Sequence, residues 1–323
     1  MLGSMNYKSF WRGWQHMSTC SCRKGGRRYS DCPFQRVLEA NARGCPYRRF
    51  KAKVEHLGQL KLLISEIEFL TPYRGKRMTV VYAGAAPGLH VPSLLKLFRG
   101  MHFVLVDPMP SVVKPAANVE VIQRAMTVDL AWELAKRFGR AVLFISDVRT
   151  APPSKEADRD AQLRIQKDME AQLDWHAALD PVASMFKFRL PWSLTPYTKY
   201  PKGRIHLPVY GKAGTHETRL IVRRGAPMVS YDNRRYEAQM AFFNQHQREA
   251  LFDDALCYDC TAFRRIVADC LGLGRIETET MCRRLEDEIE KAKLKKDSAP
   301  LTAGPAAAEQ DDATAPHSAP HAR

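Results

Sequence analysis

The residues with the clearest chemical meaning are the glycines of Thr79-Val-Val-Tyr-Ala-Gly-Ala-Ala-Pro-Gly-Leu-His90, set where a β-branched run gives way to an apolar helical pattern. At such a turn a ligand can approach the backbone closely, and the helix that follows offers free N–H groups. Asp107 ends the next apolar run 23 residues after Gly84, the position from which a carboxylate grips ribose hydroxyls. The turn reads G-x-x-P-G and lacks the middle glycine of the dinucleotide fingerprint. It has less room for a pyrophosphate and suits an adenosyl group with an amino-acid tail, which favours an S-adenosylmethionine site over a nicotinamide site. Plain structural alternatives stand beside this: Gly84 and Gly88 as turn formers, Asp107 as a helix cap, His90 as a satisfied side chain.

The elements that must position these residues follow from periodicity. Leu60, Leu63, Ile64, Ile67 and Leu70 predict a helix over Leu57–Leu70. Met78–Ala83, His102–Val106 and Ala141–Ser146 read as strands, the last ending in Asp147, and Val91–Phe98 reads as a helix. Strands alternating with helices predict the α/β class, Rossmann-like, with a mostly parallel central sheet and helices on both faces. Further on, residues 159–186 read as helical, Leu190–Tyr210 as a Pro, Tyr and Lys-rich surface loop, and Glu217–Arg223 as a late strand. The organisation expected is a basic arm over 1–53, a main domain over 54–275, a charged helix over 276–297 and a disordered tail over 298–323.

The net charge of +15 over 323 residues is uneven, since residues 1–53 hold twelve Lys or Arg against two acids. Tyr7, Trp11, Trp14, Tyr29, Tyr47 and other aromatics stand among those charges, a mixture suited to phosphate neutralisation with base stacking. A solubilising or targeting arm is the plainer alternative. No run approaches the roughly 18 apolar residues of a membrane span, and no signal peptide is apparent, so the expectation is a soluble, intracellular protein. Cys20, Cys22, Cys32 and Cys45 lack paired C-x2-C spacing, and no metal is expected; Cys257 and Cys260 read as free thiols on a helix.

The segments Gly58-Gln-Leu-Lys-Leu-Leu-Ile-Ser-Glu66, Val81–His90, Ile145-Ser-Asp-Val-Arg149, Leu179–Arg189 and Glu217-Thr-Arg-Leu together resemble the poxvirus-type cap-specific mRNA (nucleoside-2′-O-)-methyltransferases. Those viral proteins double as the small subunit of poly(A) polymerase, and the kinetoplastid cap 2′-O-ribose methyltransferases are similar. The likeness runs over roughly residues 57–245 in one order. It implies a Rossmann-like S-adenosylmethionine-dependent methyltransferase fold, S-adenosylmethionine as cofactor and 5′-capped mRNA as substrate. It further implies a poly(A) polymerase or other capping-machinery subunit as a partner. The nucleus would follow for a kinetoplastid-like protein, the cytoplasm or virion for a viral one.

The resemblance places a Lys-Asp-Lys-Glu tetrad on Lys61, Asp147, Lys187 and Glu217. Chemistry asks for such a set, because a ribose hydroxyl is a poor nucleophile and an amine with a lowered pKa must take its proton. A second lysine supplies like-charge repulsion while two carboxylates orient the pair. Lys187, followed directly by Phe188–Trp192, is the expected base. Gln59, Tyr82, Gly84, Gly88, His90, Asp107, Met126, Asp147 and Arg149 are expected to line the cofactor pocket. Met109 stands where the viral pattern has an arginine, and Met126 where it has a valine. Trp192 and Glu237 are the expected cap contacts, a stacking aromatic and an edge acid for a flat cationic base; Leu194 replaces the other acid of that pattern. The alternative function is a non-catalytic or dual-role RNA-binding processivity subunit of a poly(A) polymerase.

Overall fold

A computed structural model describes residues 36, 38, 57–150, 159–248, 252 and 256–298. Four short runs form its centre: β1 (Thr79–Ala83), β2 (His102–Val106), β4 (Val142–Ser146) and β5 (Ala183–Phe188). Their residues are almost wholly buried, as strands covered by helices on both faces must be. With β3 (Val119–Ile122), β7 (Arg204–His206) and β8 (Thr218–Arg223) they make a seven-stranded sheet in the order β3-β2-β1-β4-β5-β8-β7. Strands β1 to β5 run parallel, while β8 runs antiparallel to β5, and β7 to β8. A separate ribbon pairs β6 (Tyr197–Pro201) with β9 (Met228–Asp232).

The helices follow the expected periodicities. In α1 (Gly58–Leu70), Leu60, Leu63, Ile64, Ile67 and Leu70 are buried. α2 (Val91–Leu97) leaves the glycine turn. α3 (Val128–Phe138) is capped by Thr127, whose hydroxyl accepts from Leu130 N at 3.1 Å, and its apolar face packs on α4 (Arg159–Leu179). α5 (Asn233–Phe242) follows β9, then come α6 (Tyr258–Leu271) and α7 (Arg275–Asp297). The charged helix is not separate from the body. Thr278, Cys282 and Leu285 of α7 are buried, and its Glu288 receives bonds from Ser93 and Lys96 of α2 at 2.5 and 2.9 Å.

Two expectations are corrected. The helix expected over 159–186 stops at Leu179, because Asp180 takes φ of +41° before Pro181, and the residue before a proline is steered out of the helical region. Ala183–Phe188 is therefore the strand that carries Lys187. The stretch Leu190–Tyr210 is no surface loop: it holds β6 and β7, and Tyr200, Leu207, Val209 and Tyr210 are buried. Its prolines sit at strand ends, which pairing tolerates.

Of the basic arm only residues 36 and 38 are described; Arg36 Nη1 lies 2.7 Å from Glu68 Oε1 of α1, and Leu38 packs on the core. The four arm cysteines and the tail from 299 lie outside the described residues. Cys257 and Cys260 are buried and outside any disulfide, and no described helix is long and apolar enough to cross a membrane.

Candidate active site

The sheet order places β1 beside β4, and the chain runs outward from these two strands in opposite directions. That switch point, at the carboxyl ends of parallel strands, is where open α/β sheets form their crevice. The turn after β1 and the loop after β4 meet there. Gly84 N donates to Val106 O at 2.9 Å and Asp147 N to Ala83 O at 2.9 Å. Gly84 has φ of +81°, and a Cβ on it would stand 2.9 Å from the Asp147 carbonyl carbon. Only glycine lets the turn pass this close to Asp147.

The four residues of the expected tetrad come from four different elements and converge. Lys61 lies in the first turns of α1, Asp147 just past β4, Lys187 near the end of β5 and Glu217 just before β8. Lys61 Nζ is 2.8 Å from Glu217 Oε1. Lys187 Nζ is 3.2 Å from Asp147 Oδ1, 3.6 Å from Glu217 Oε2 and 3.3 Å from the Asp147 carbonyl oxygen. Gln172 of α4 fixes the Lys187 backbone from outside the sheet, accepting from its N–H at 3.1 Å and donating to its carbonyl at 3.2 Å.

A fifth group was not anticipated. Arg219, two residues after Glu217 on the same face of β8, is 3% exposed. Its Nη2 is 2.6 Å from Asp147 Oδ1 and its Nη1 3.3 Å from Glu217 Oε1. An arginine that alternates with the buried Leu220 and Val222 at the mouth of a strand was the available signal. Electrostatics bind the five together. Burial alone would raise the Asp147 and Glu217 carboxyls, but Lys187, Arg219 and Lys61 outweigh it and hold both below the usual carboxylate range. Burial pushes the Lys61 ammonium down; Arg219 and Lys187 push the same way, against Glu217 and Asp147.

The expected cofactor-side residues divide into a front and a back. Asp107 stands at the mouth, its carboxylate accepting from Ala86 N at 3.0 Å and Met109 N at 2.8 Å. Gln59 and Arg149 are partly exposed, and Met126 is buried in the core. Asp168 of α4 anchors the Arg149 loop, accepting from Thr150 N at 3.0 Å and Thr150 Oγ1 at 2.7 Å. Tyr82 and His90, also expected on the cofactor side, are 0% and 1% exposed. Tyr82 is buried because its strand is covered on both faces, and both ring nitrogens of His90 are engaged by Gln59 and Glu66.

Trp192 lies between β5 and β6, and Glu237 lies on α5. Asn233, first residue of α5, ties the two segments together: its side chain donates to Thr195 O at 2.8 Å and its N–H to Pro196 O at 3.0 Å. Glu237 is one helical turn further along α5, on the same face as Asn233. Burial raises its carboxyl, against Arg234.

Among known proteins, the chain is similar to the cap-specific mRNA (nucleoside-2′-O-)-methyltransferases of Myxoma virus, strains Lausanne and Uriarra, at 28% identity over 214 residues, 60% of this chain. It spans 62% of the length of these curated relatives. A crystal structure of an S-adenosyl-L-methionine methyl transferase from Silicibacter pomeroyi DSS-3 aligns over 51% of this chain and 89% of its own, at 18% identity and a TM-score of 0.26. The fold assignment itself stands on the strand order. The family model described as Poly A polymerase regulatory subunit matches residues 39–262, and the chain belongs to that family.

Proposed function

We propose that this chain is an S-adenosylmethionine-dependent ribose 2′-O-methyltransferase acting on 5′-capped mRNA. The observation that carries the reading is the cluster of Lys61, Asp147, Lys187, Glu217 and Arg219 at the switch point. Taking a charge out of water costs several kcal/mol per ion, so a buried ionic cluster is a poor way to stabilise a fold. A proton-transfer site accounts for it. A purely non-catalytic subunit of a poly(A) polymerase would leave the cluster without a purpose, though such a polymerase stays a partner to test.

The donor set suits the cofactor. Asp107 keeps lone pairs beyond its two backbone bonds, for a ribose diol. Gln59 offers an amide, and Arg149 Nη2 is buried without a hydrogen-bond partner among the described residues, an orphan that a polar ligand group would satisfy. When bound, S-adenosylmethionine supplies an electrophilic methyl group whose bond to sulfur breaks as its bond to the ribose oxygen forms.

The protein's own part is proton transfer and placement. Lys187 Nζ takes the proton of the 2′-hydroxyl. Asp147 and Glu217 hold that amine from two sides, Arg219 fixes both carboxylates, and Lys61 adds a second positive charge. Trp192 stacks on the methylated guanine while Glu237 faces its edge. The test is incubation with labelled S-adenosylmethionine and capped or uncapped RNA, followed by mapping of the label. Label on a ribose near the cap supports the reading, whereas label on a base or none at all refutes it.

A further inference from the structure

Gln59 opens α1 two residues before Lys61 and leans on the start of α2. Its Oε1 lies 2.8 Å from His90 Nδ1, and His90 Nε2 lies 3.0 Å from Glu66 Oε1. His90 and Glu66 are 1% and 0% exposed, and the His90 ring lies 6.3 Å from the Tyr82 ring, tilted by 55°. The Gln59 side chain makes no other hydrogen bond among the described residues and is partly exposed.

Each contact needs one hydrogen, and counting them constrains the amide. With Oε1 of Gln59 facing it, Nδ1 of His90 must carry a proton. A second proton must lie between Nε2 and Glu66, on whichever atom, so the pair is neutral as a whole. Were one proton missing, the buried carboxylate would claim the remaining one on Nε2, since an unpaired buried charge is far costlier than a turned amide. Nδ1 would then accept, and Gln59 would have to turn by half a rotation to donate to it. The proton count of a buried pair therefore decides whether Gln59 shows its NH2 or its carbonyl to the cleft.

We infer that Glu66 and His90 are positioning residues that lock Gln59 with its NH2 toward the cleft, as donor to the carboxylate at the amino-acid end of the cofactor. This rests on the proposed cofactor. Gln59 leans on His90, directly after the glycine turn, while Asp107 stands at the end of β2 for the ribose. The part of the cofactor left for the glycine-turn side is the amino-acid tail, and an NH2 favours its carboxylate over its ammonium.

Two measurements test the inference. In ligand-free protein with 15N-labelled histidine, His90 Nδ1 is expected to be protonated, and an unprotonated Nδ1 overturns the lock. In calorimetric titrations, Gln59→Leu and His90→Phe should each weaken S-adenosylhomocysteine by about tenfold. Neither should change the affinity for 5′-methylthioadenosine, which lacks the tail. The double variant should be no weaker than either single one, because His90 acts through Gln59. Equal losses for both ligands, or losses that add, make His90 a support of the fold only and overturn the inference. Wild-type protein that binds neither ligand overturns the cofactor reading, and this inference with it. His90→Phe keeps a ring beside Tyr82; should it fail to fold, the protonation of Nδ1 in the wild-type protein still decides.

Discussion

Arg219 Nη2 stands 2.6 Å from Asp147 Oδ1, the same oxygen that lies 3.2 Å from Lys187 Nζ. One carboxylate oxygen thus answers to two cations, and the arginine sets where the lysine finds it. A lysine at 219 would keep the charge but lose the fork that reaches Asp147 and Glu217 together. Arg219→Lys should lower methyl transfer by about tenfold or more while S-adenosylhomocysteine affinity holds. Arg219→Leu removes the countercharge from two buried acids and should cost about 3–5 kcal/mol in urea unfolding. Wild-type stability in that variant would show that the acids do not depend on it.

Two parts of the arm are expected to act differently. Residues 1–30 hold six Lys or Arg and no acid, whereas Arg36 is bound to Glu68 and to Leu207 O at 2.9 Å. Deleting residues 1–30 should weaken RNA binding and flatten its salt dependence without changing stability. Arg36→Ala should do the reverse, lowering stability by about 2 kcal/mol and leaving the salt slope alone. An unchanged salt slope after the deletion removes the arm from RNA binding.

Trp192→Ala should cost roughly 1–3 kcal/mol in affinity for capped RNA by loss of stacking. Uncapped RNA should bind almost as before. Fluorescence titration with both RNAs decides, and equal losses would move the cap contact elsewhere.

Acid should weaken the fold before it touches the carboxylates. Burial, with the nearby Arg189 charge, pushes His216 down from 6.5 to about 4. The unfolded chain therefore binds a proton between those values that the fold refuses, so this stability is complete above 6.5 and lost as pH falls toward 4. Between pH 7 and pH 5 the loss should approach about 2 kcal/mol. Glu68, held near 2 by His206 and Arg36 against its burial, adds a second decline only below about 4.5. Urea midpoints at pH 7, 6 and 5 should fall for the wild type and stay flatter for His216→Asn.

Much of this was legible in the sequence because β1, β2 and β4 are β-branched runs that stop at chemically distinctive residues. The strands read poorly were those whose composition disguised them. In Ala183–Phe188 an apolar run continues the phase of α4, and only Asp180-Pro181 marks the break. In Leu190–Tyr210 prolines and lysines hide a ribbon paired with β9, a partner some thirty residues away in sequence. The full burial of Tyr82 and His90 is not readable from the chain, because burial is a property of the packed sheet. Arg219 was missed because its meaning depends on Asp147, 72 residues distant.

Whether Lys187 takes the proton of the ribose hydroxyl is decided by methyl transfer by Lys187→Arg across pH, at saturating S-adenosylmethionine and capped RNA. A guanidinium keeps its proton at any usable pH and cannot act as the base. No recovery of activity is expected at any pH, with S-adenosylhomocysteine still binding as to the wild type. Turnover close to wild type would mean that only a positive charge is needed beside Asp147 and Glu217, and would contradict the assignment.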